Sequence, residues 1–127
     1  MSNLSKFEVA YGLAVTTPDL QGENIQWGYP NVWAPLMGHI LPGIEAQGYE
    51  LDAMRLRLKW LSGIVLASER GEGKWPEKIS GIEDASTRVD DDRYAHQENA
   101  TWTQGVYMRM VADVERFVNN INGKNAV

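Results

Sequence analysis

The sequence predicts an all-α fold of about three main helices joined by long ordered loops. Apolar residues recur at helical spacing in three stretches, and Pro and Gly stand where those stretches begin and stop. The segments between them are rich in Gly, Asn, Gln and aromatic residues and follow neither a helical nor a strand period. With 127 residues, the chain is one domain at most, and 23% charged against 43% hydrophobic residues is an ordinary globular balance.

Residues 11–31 read as an ordered loop or extended segment. Pro35 suits a first helical turn, and Leu36, Ile40 and Ile44 then recur at helical spacing up to Gly48, with Pro42 expected to kink or shorten this helix. The clearest helix covers residues 51–69, with Leu51, Met54, Leu58, Leu61 and Val65 on one face and Leu56, Trp60 and Ala67 on a second. Gly71 is its stop. Residues 71–99 are polar and irregular and read as a long loop. A last helix begins near Trp102, aligns Val106, Met110, Val114, Phe117 and Ile121, and is expected to end at Gly123. Met54, Met108 and Met110 are expected to fill the core.

Charge and composition exclude several functions. Lys and Arg number 12 against 17 Asp and Glu, for a net charge of -5, and the basic residues form no stripe, which argues against nucleic-acid binding. The absence of cysteine rules out disulfides, thiolate metal sites and a cysteine nucleophile. The acidic run Asp90, Asp91 and Asp92 lacks the spacing of a calcium loop, and two histidines, His39 and His96, are too few for a zinc site. No metal and no cofactor are expected. Residues 1–10 contain Lys6 and Glu8 and no signal-peptide core, and no segment reaches membrane-spanning length, so the expected location is cytoplasmic without membrane association.

Two clusters suit a sugar. Gln26, Trp27, Tyr29, Asn31 and Trp33 precede the first helix, and Gln97, Glu98, Asn99, Thr101 and Trp102 precede the last. Aromatic faces cover the C–H surface of a pyranose ring, and amides offer paired donors and acceptors to hydroxyls. The structural alternatives are that Trp27 and Trp33 are core residues at a helix start and that Asn99 or Thr101 caps the last helix. Between the clusters, Glu77 in Trp75-Pro76-Glu77-Lys78 is a carboxylate beside aromatic residues, the setting of a general base, although a loop glutamate is more often solvated.

Four stretches in register resemble the trehalase family. Gln26-Trp27-Gly28-Tyr29-Pro30-Asn31-Val32-Trp33-Ala34-Pro35-Leu36 is similar to its signature QWDYPNGWAPL, and Arg57-Leu58-Lys59-Trp60-Leu61 to an outer-helix RWL segment. Trp75-Pro76-Glu77-Lys78 falls where the family has VEKY, and Ala100-Thr101-Trp102-Thr103-Gln104-Gly105-Val106 resembles FGWTNGV, preceded as in the family by Gln97 and an acidic residue, Glu98. The resemblance implies that residues 1–127 are a single partial domain, the carboxy-terminal helices of an (α/α)6 barrel. It implies hydrolysis of α,α-trehalose or a related α-glucoside with inversion, with Glu77 as general base and Gln26, Trp27, Asn31, Trp33, Gln97, Glu98 and Trp102 lining the sugar pocket.

Three positions depart from the family pattern: Gly28 stands for the signature Asp, Val32 for the signature Gly, and Val89-Asp90-Asp91-Asp92-Arg93-Tyr94 for the glycine-rich GGGGEY loop. The family's catalytic acid has no counterpart here, since neither Asp19 nor Asp52 has a matching context. The isolated chain is therefore expected to be inactive, and its partners to be a glucoside together with a completing chain or the missing part of the barrel. The alternative readings are a degenerate, non-catalytic module that binds carbohydrate or protein, and a helical scaffold that self-associates as a homo-oligomer.

Overall fold

The computed structural model describes residues 3–20, 26–82 and 97–125. Among them are three α-helices, α1 (Ala34–Ala46), α2 (Glu50–Arg70) and α3 (Thr101–Asn125), and four short strands, β1 (Glu8–Val9), β2 (Gly12–Leu13), β3 (Asn31–Trp33) and β4 (Lys78–Ser80). The chain is mostly helical, as its periodicity predicts. The helices pack on one another, and the strands form two antiparallel pairs, β1 with β2 and β3 with β4, laid against them.

α1 starts where extended Trp33 (φ -108°, ψ 132°) gives way to Ala34 and Pro35, a position at which proline's missing N–H leaves no gap in the helix ladder. Its buried stripe is Ala34, Met37, Leu41 and Ile44. The expected stripe is thus corrected: Ile44 is buried, but Leu36 is only half-buried and Ile40 is exposed. The β1–β2 hairpin covers the Met37 side, where a Cβ on Gly12 would stand 3.0 Å from Met37 Cε. Pro42 does not stop the helix, which runs on to Ala46. Gly48, at φ +87°, closes it, its N–H donating to the Glu45 carbonyl at 2.9 Å and that of Tyr49 to Ile44 at 3.3 Å.

α2 begins and ends within a residue of its expected bounds, and the Gly71 N–H closes it on the Ala67 carbonyl at 2.9 Å. Of its two expected faces, the second, with Leu56, Trp60 and Ala67, is buried, and the first is mostly not. Of Leu51, Met54, Leu58, Leu61 and Val65, Met54 is buried and Leu61 half-buried, whereas Leu51, Leu58 and Val65 are 76%, 51% and 40% exposed. The helix instead buries Ala53, Leu56, Arg57, Trp60, Gly63, Ile64 and Ala67. Small residues decide this: a Cβ on Gly63 would lie 2.7 Å from Ile79 Cδ1 and 2.8 Å from Tyr11 Cβ, so β4 and the hairpin seat directly on the glycine. Burying Trp60 and Ile64, each at 1% exposure or less, contributes roughly 1.5–3 kcal/mol per side chain.

α3 starts one residue before Trp102 and passes Gly123 to reach Asn125, since one exposed glycine costs a helix only about 1 kcal/mol. Met110 is buried, Val106, Val114 and Phe117 are half-buried, and Ile121 is exposed. Met108 is 72% exposed, so it does not fill the core as expected.

The strands lie in stretches that read as loops from the sequence. β1 and β2 are two residues long, and β3 and β4 are three-residue strands whose partners are distant in sequence, so none leaves a local period to detect. In the β3–β4 ladder Asn31 faces Ser80, Val32 faces Ile79 and Trp33 faces Lys78. The hairpin is tied to this ladder by Ala10 N–H to the Gly81 carbonyl (2.8 Å) and Val15 N–H to that of Asn31 (3.1 Å). Glu8 fixes it to α2, accepting from Arg55 and from Lys59 Nζ at 2.5 Å.

Candidate functional site

The first cluster converges on Trp33, at the junction of β3 and α1. Its indole is 1% exposed, and its Nε1 donates to the Gln26 carbonyl at 2.8 Å. The same carbonyl accepts from Asn31 Nδ2 at 3.2 Å, so one backbone oxygen holds two of the predicted residues in place. Gln26 is itself buried, and its Nε2 has no hydrogen-bond partner among the described residues. An unused buried donor is costly, which makes it a place where a ligand hydroxyl would be welcome.

Trp27 stacks face to face on Trp33, with centroids 3.9 Å apart and planes 9° from parallel. Trp102, the second residue of α3, meets Trp33 at 6.4 Å and 59°. Trp27 and Trp102 remain 43% and 46% exposed. The three tryptophans therefore form one aromatic platform with Trp33 as its buried support.

Glu77 sits at a bend immediately before β4 and is 2% exposed. Lys78 Nζ donates to its Oε2 at 3.3 Å and lies 5.1 Å from the Trp33 ring centroid. The β3–β4 register thus brings the carboxylate to the platform through a buried lysine. Lys78 was not picked out from the sequence; the signal was its place beside Glu77 in the Trp75–Lys78 motif.

The second cluster reaches Glu77 through the backbone. Glu77 N–H donates to the Gln97 carbonyl at 3.3 Å, and Pro76 bridges Glu98 in antiparallel fashion. Thr103 Oγ1 donates to the Pro76 carbonyl at 2.8 Å, and Asn99 Oδ1 accepts from Trp75 N–H at 3.4 Å, so these side chains tie the amino-terminal end of α3 to the Glu77 segment. Gln97 and Glu98 have exposed side chains, and the Glu98 carboxylate pairs with Lys74 at 2.8 Å. Asp90, Asp91, Asp92, Arg93 and His96 lie outside the described residues. His39 Nδ1 contacts the Pro35 carbonyl of its own helix at 3.0 Å.

Sequence reasoning also missed an ion network around the buried Arg57, at the carboxy-terminal half of α1. Arg57, 2% exposed, pairs with Glu45 and with Asp113 at 3.4 Å, and Arg116 pairs with Asp113 at 2.9 Å and Glu45 at 3.9 Å. An adjoining cavity of about 470 Å³ is lined by these four residues with Pro42 and Arg109, and by none of the predicted site residues. Among the described residues no group of three His, Cys, Asp or Glu side chains could hold a metal ion, and no helix is long and apolar enough to cross a membrane.

The trehalase family model matches residues 1–115. Over 100 residues the chain is 32% identical to the periplasmic trehalases of Salmonella paratyphi B, Salmonella newport and Salmonella dublin, covering 79% of this chain and 17% of each relative. The chain thus spans about a sixth of the length of the curated relatives it matches. Their periplasmic descriptions correct the cytoplasmic location expected from composition. A cysteine-free chain is indifferent to redox compartment, and Glu8 and Val9 are part of a folded hairpin, so this segment reports packing and not an address. With four motifs in register, three of them gathered around one aromatic platform, and a matched family model over most of its length, the chain belongs to the trehalase family.

Proposed function

We propose that this chain supplies the carboxy-terminal helices of an (α/α)6 barrel and contributes the general base, Glu77, and part of the sugar pocket to the inverting hydrolysis of α,α-trehalose or a related α-glucoside. The observation that carries this reading is the attachment of a single enclosed carboxylate to a tryptophan platform. Trp27 and Trp102 offer half-exposed faces to a sugar ring, Trp33 backs them, and the unused Gln26 Nε2 is suited to a hydroxyl. Asn31 acts by holding the Gln26 backbone, and Gln97 and Glu98 border the Glu77 segment.

In an inverting glycosidase, a carboxylate takes a proton from water as the water oxygen attacks the anomeric carbon, while an acid on the opposite face protonates the departing oxygen. Glu77 fills the first role. The acid comes from the completing part of the barrel, carried on another chain or on a longer form of this one. The exposed Leu51, Leu58 and Val65 support such a completion. Seven-residue steps keep them on one side of α2, and the described residues leave all three at least 40% exposed. The periplasm is the proposed location, by analogy with the relatives.

A second reading is a non-catalytic carbohydrate-binding module of the same fold. The change of the signature Asp to Gly28 favours it. Val32 does not, because its side chain is buried in the β3–β4 ladder and serves packing. Glucose release from trehalose by the completed form, with Glu77→Gln as control, separates the two. Release that Glu77→Gln lowers by about 10³-fold or more supports hydrolysis, and no release by the completed form supports the binding module.

A further inference from the structure

We infer that Lys78 is a positioning residue for Glu77, holding its Oε2 so that Oε1 faces the attacking water; this rests on the hydrolytic reading above. Successive side chains of a strand point to opposite faces, so neighbours do not ordinarily pair. The bend at Glu77, just outside β4, removes that restriction and lets the carboxylate turn to the side on which Lys78 lies. Lys78 is the cross-strand partner of Trp33, and its ammonium is 3.3 Å from Glu77 Oε2 and 5.1 Å from the Trp33 centroid. Both side chains of the pair are at most 3% exposed.

Desolvating an ammonium and a carboxylate together costs about as much as their attraction returns, so a buried pair of this kind is a weak source of stability. Its effect is orientation. A carboxylate on three rotatable torsions is held by a cation that is in turn fixed against an indole. The indole is anchored by the Gln26 carbonyl and stacked on Trp27. The chain of contacts from platform to carboxylate therefore sets the distance between the sugar and the base. A general base works only with its oxygen within hydrogen-bond reach of the water proton, and misplacement by about 1 Å costs on the order of 10²-fold in rate.

The test uses the trehalose-hydrolysing form that contains this chain. Lys78→Met is expected to lower kcat about 100-fold with KM within about threefold, and Lys78→Arg to recover at least about tenfold of that loss. A Lys78→Met enzyme that keeps kcat within about threefold overturns the inference, as does a parallel loss in kcat and KM that arginine fails to rescue. A second arm needs no activity. In thermal melts of the full chain, Lys78→Met is expected to lower Tm by about 10 °C, and adding Glu77→Gln to restore most of it, because the second change removes the stranded charge. Additive losses refute the pairing. Absence of glucose release from the parent form would sink the hydrolytic reading and the catalytic meaning of Lys78 with it, while the melting cycle still reports on the pair itself.

Discussion

Gly63→Ala will destabilise this chain, whereas the same change at Gly43 will stabilise it, although both glycines lie inside α-helices. Alanine gains about 1 kcal/mol over glycine in a helix interior, and at Gly43, where nothing lies within 4 Å of the new Cβ, that gain stands alone. At Gly63 the added carbon would be 2.7 Å from Ile79 Cδ1, 2.8 Å from Tyr11 Cβ and 2.9 Å from Tyr11 Cγ. Ile79 can swing its terminal methyl aside. Tyr11 Cβ is bonded to the backbone and moves only if the hairpin moves. Overpacking of this kind costs about 1–3 kcal/mol, so the net effect at Gly63 is a loss of up to about 2 kcal/mol against a gain of about 1 kcal/mol at Gly43. Urea unfolding of the two variants beside the parent measures both at unchanged m-value. Stabilisation by Gly63→Ala equal to that of Gly43→Ala would refute the view that β4 and the hairpin seat on α2 through this glycine.

Two further outcomes follow from charge. Arg57→Met preserves the bulk of a 2%-exposed side chain but leaves Glu45 and Asp113 with Arg116 as their remaining cation, so stability should fall by about 3 kcal/mol. A loss under about 1 kcal/mol in chemical denaturation would show that the network is not a structural tie between the helices. Glu8 gives a pH dependence. Burial pushes its carboxyl up, but hydrogen bonds from Lys59 and Arg55 outweigh this and hold it below its ordinary value of 4.5. A carboxyl whose folded pKa lies below the unfolded one contributes stability above the ordinary value, and that contribution disappears as pH falls through the lowered one. Glu8→Gln should therefore flatten the acid side of the stability profile, and an unchanged slope would remove Glu8 from the account.

The family assignment was legible in the sequence because short motifs with fixed neighbours carry it, and the candidate site residues come from the same motifs. Trp27, Trp33, Trp102 and Glu77 all stand in such motifs, and the structure brings the three tryptophans into contact and Glu77 next to them through Lys78. The place of Lys78 in the site is not legible in the sequence, where it is only the neighbour of Glu77. Only the pairing of Trp33 with Lys78 across the β3–β4 ladder turns it inward. Gln97 and Glu98 were readable as neighbours of α3, but their closeness to Glu77 comes from a backbone bridge with no sequence period.

The helices were set locally. Each hydrogen bond in α2 spans four residues, Gly71 ends the ladder by its own backbone freedom, and so its bounds followed from periodicity within one residue at either end. The face that α2 buries was a tertiary decision. Leu51, Leu58 and Val65 stay exposed while Leu56, Trp60 and Ile64 are buried, because the partners on the buried side, Tyr11 and Ile79, make a near approach that Gly63 permits. Burial is decided by which surfaces fit, and strand pairing by contacts between distant segments, so neither is written in any one stretch of the chain.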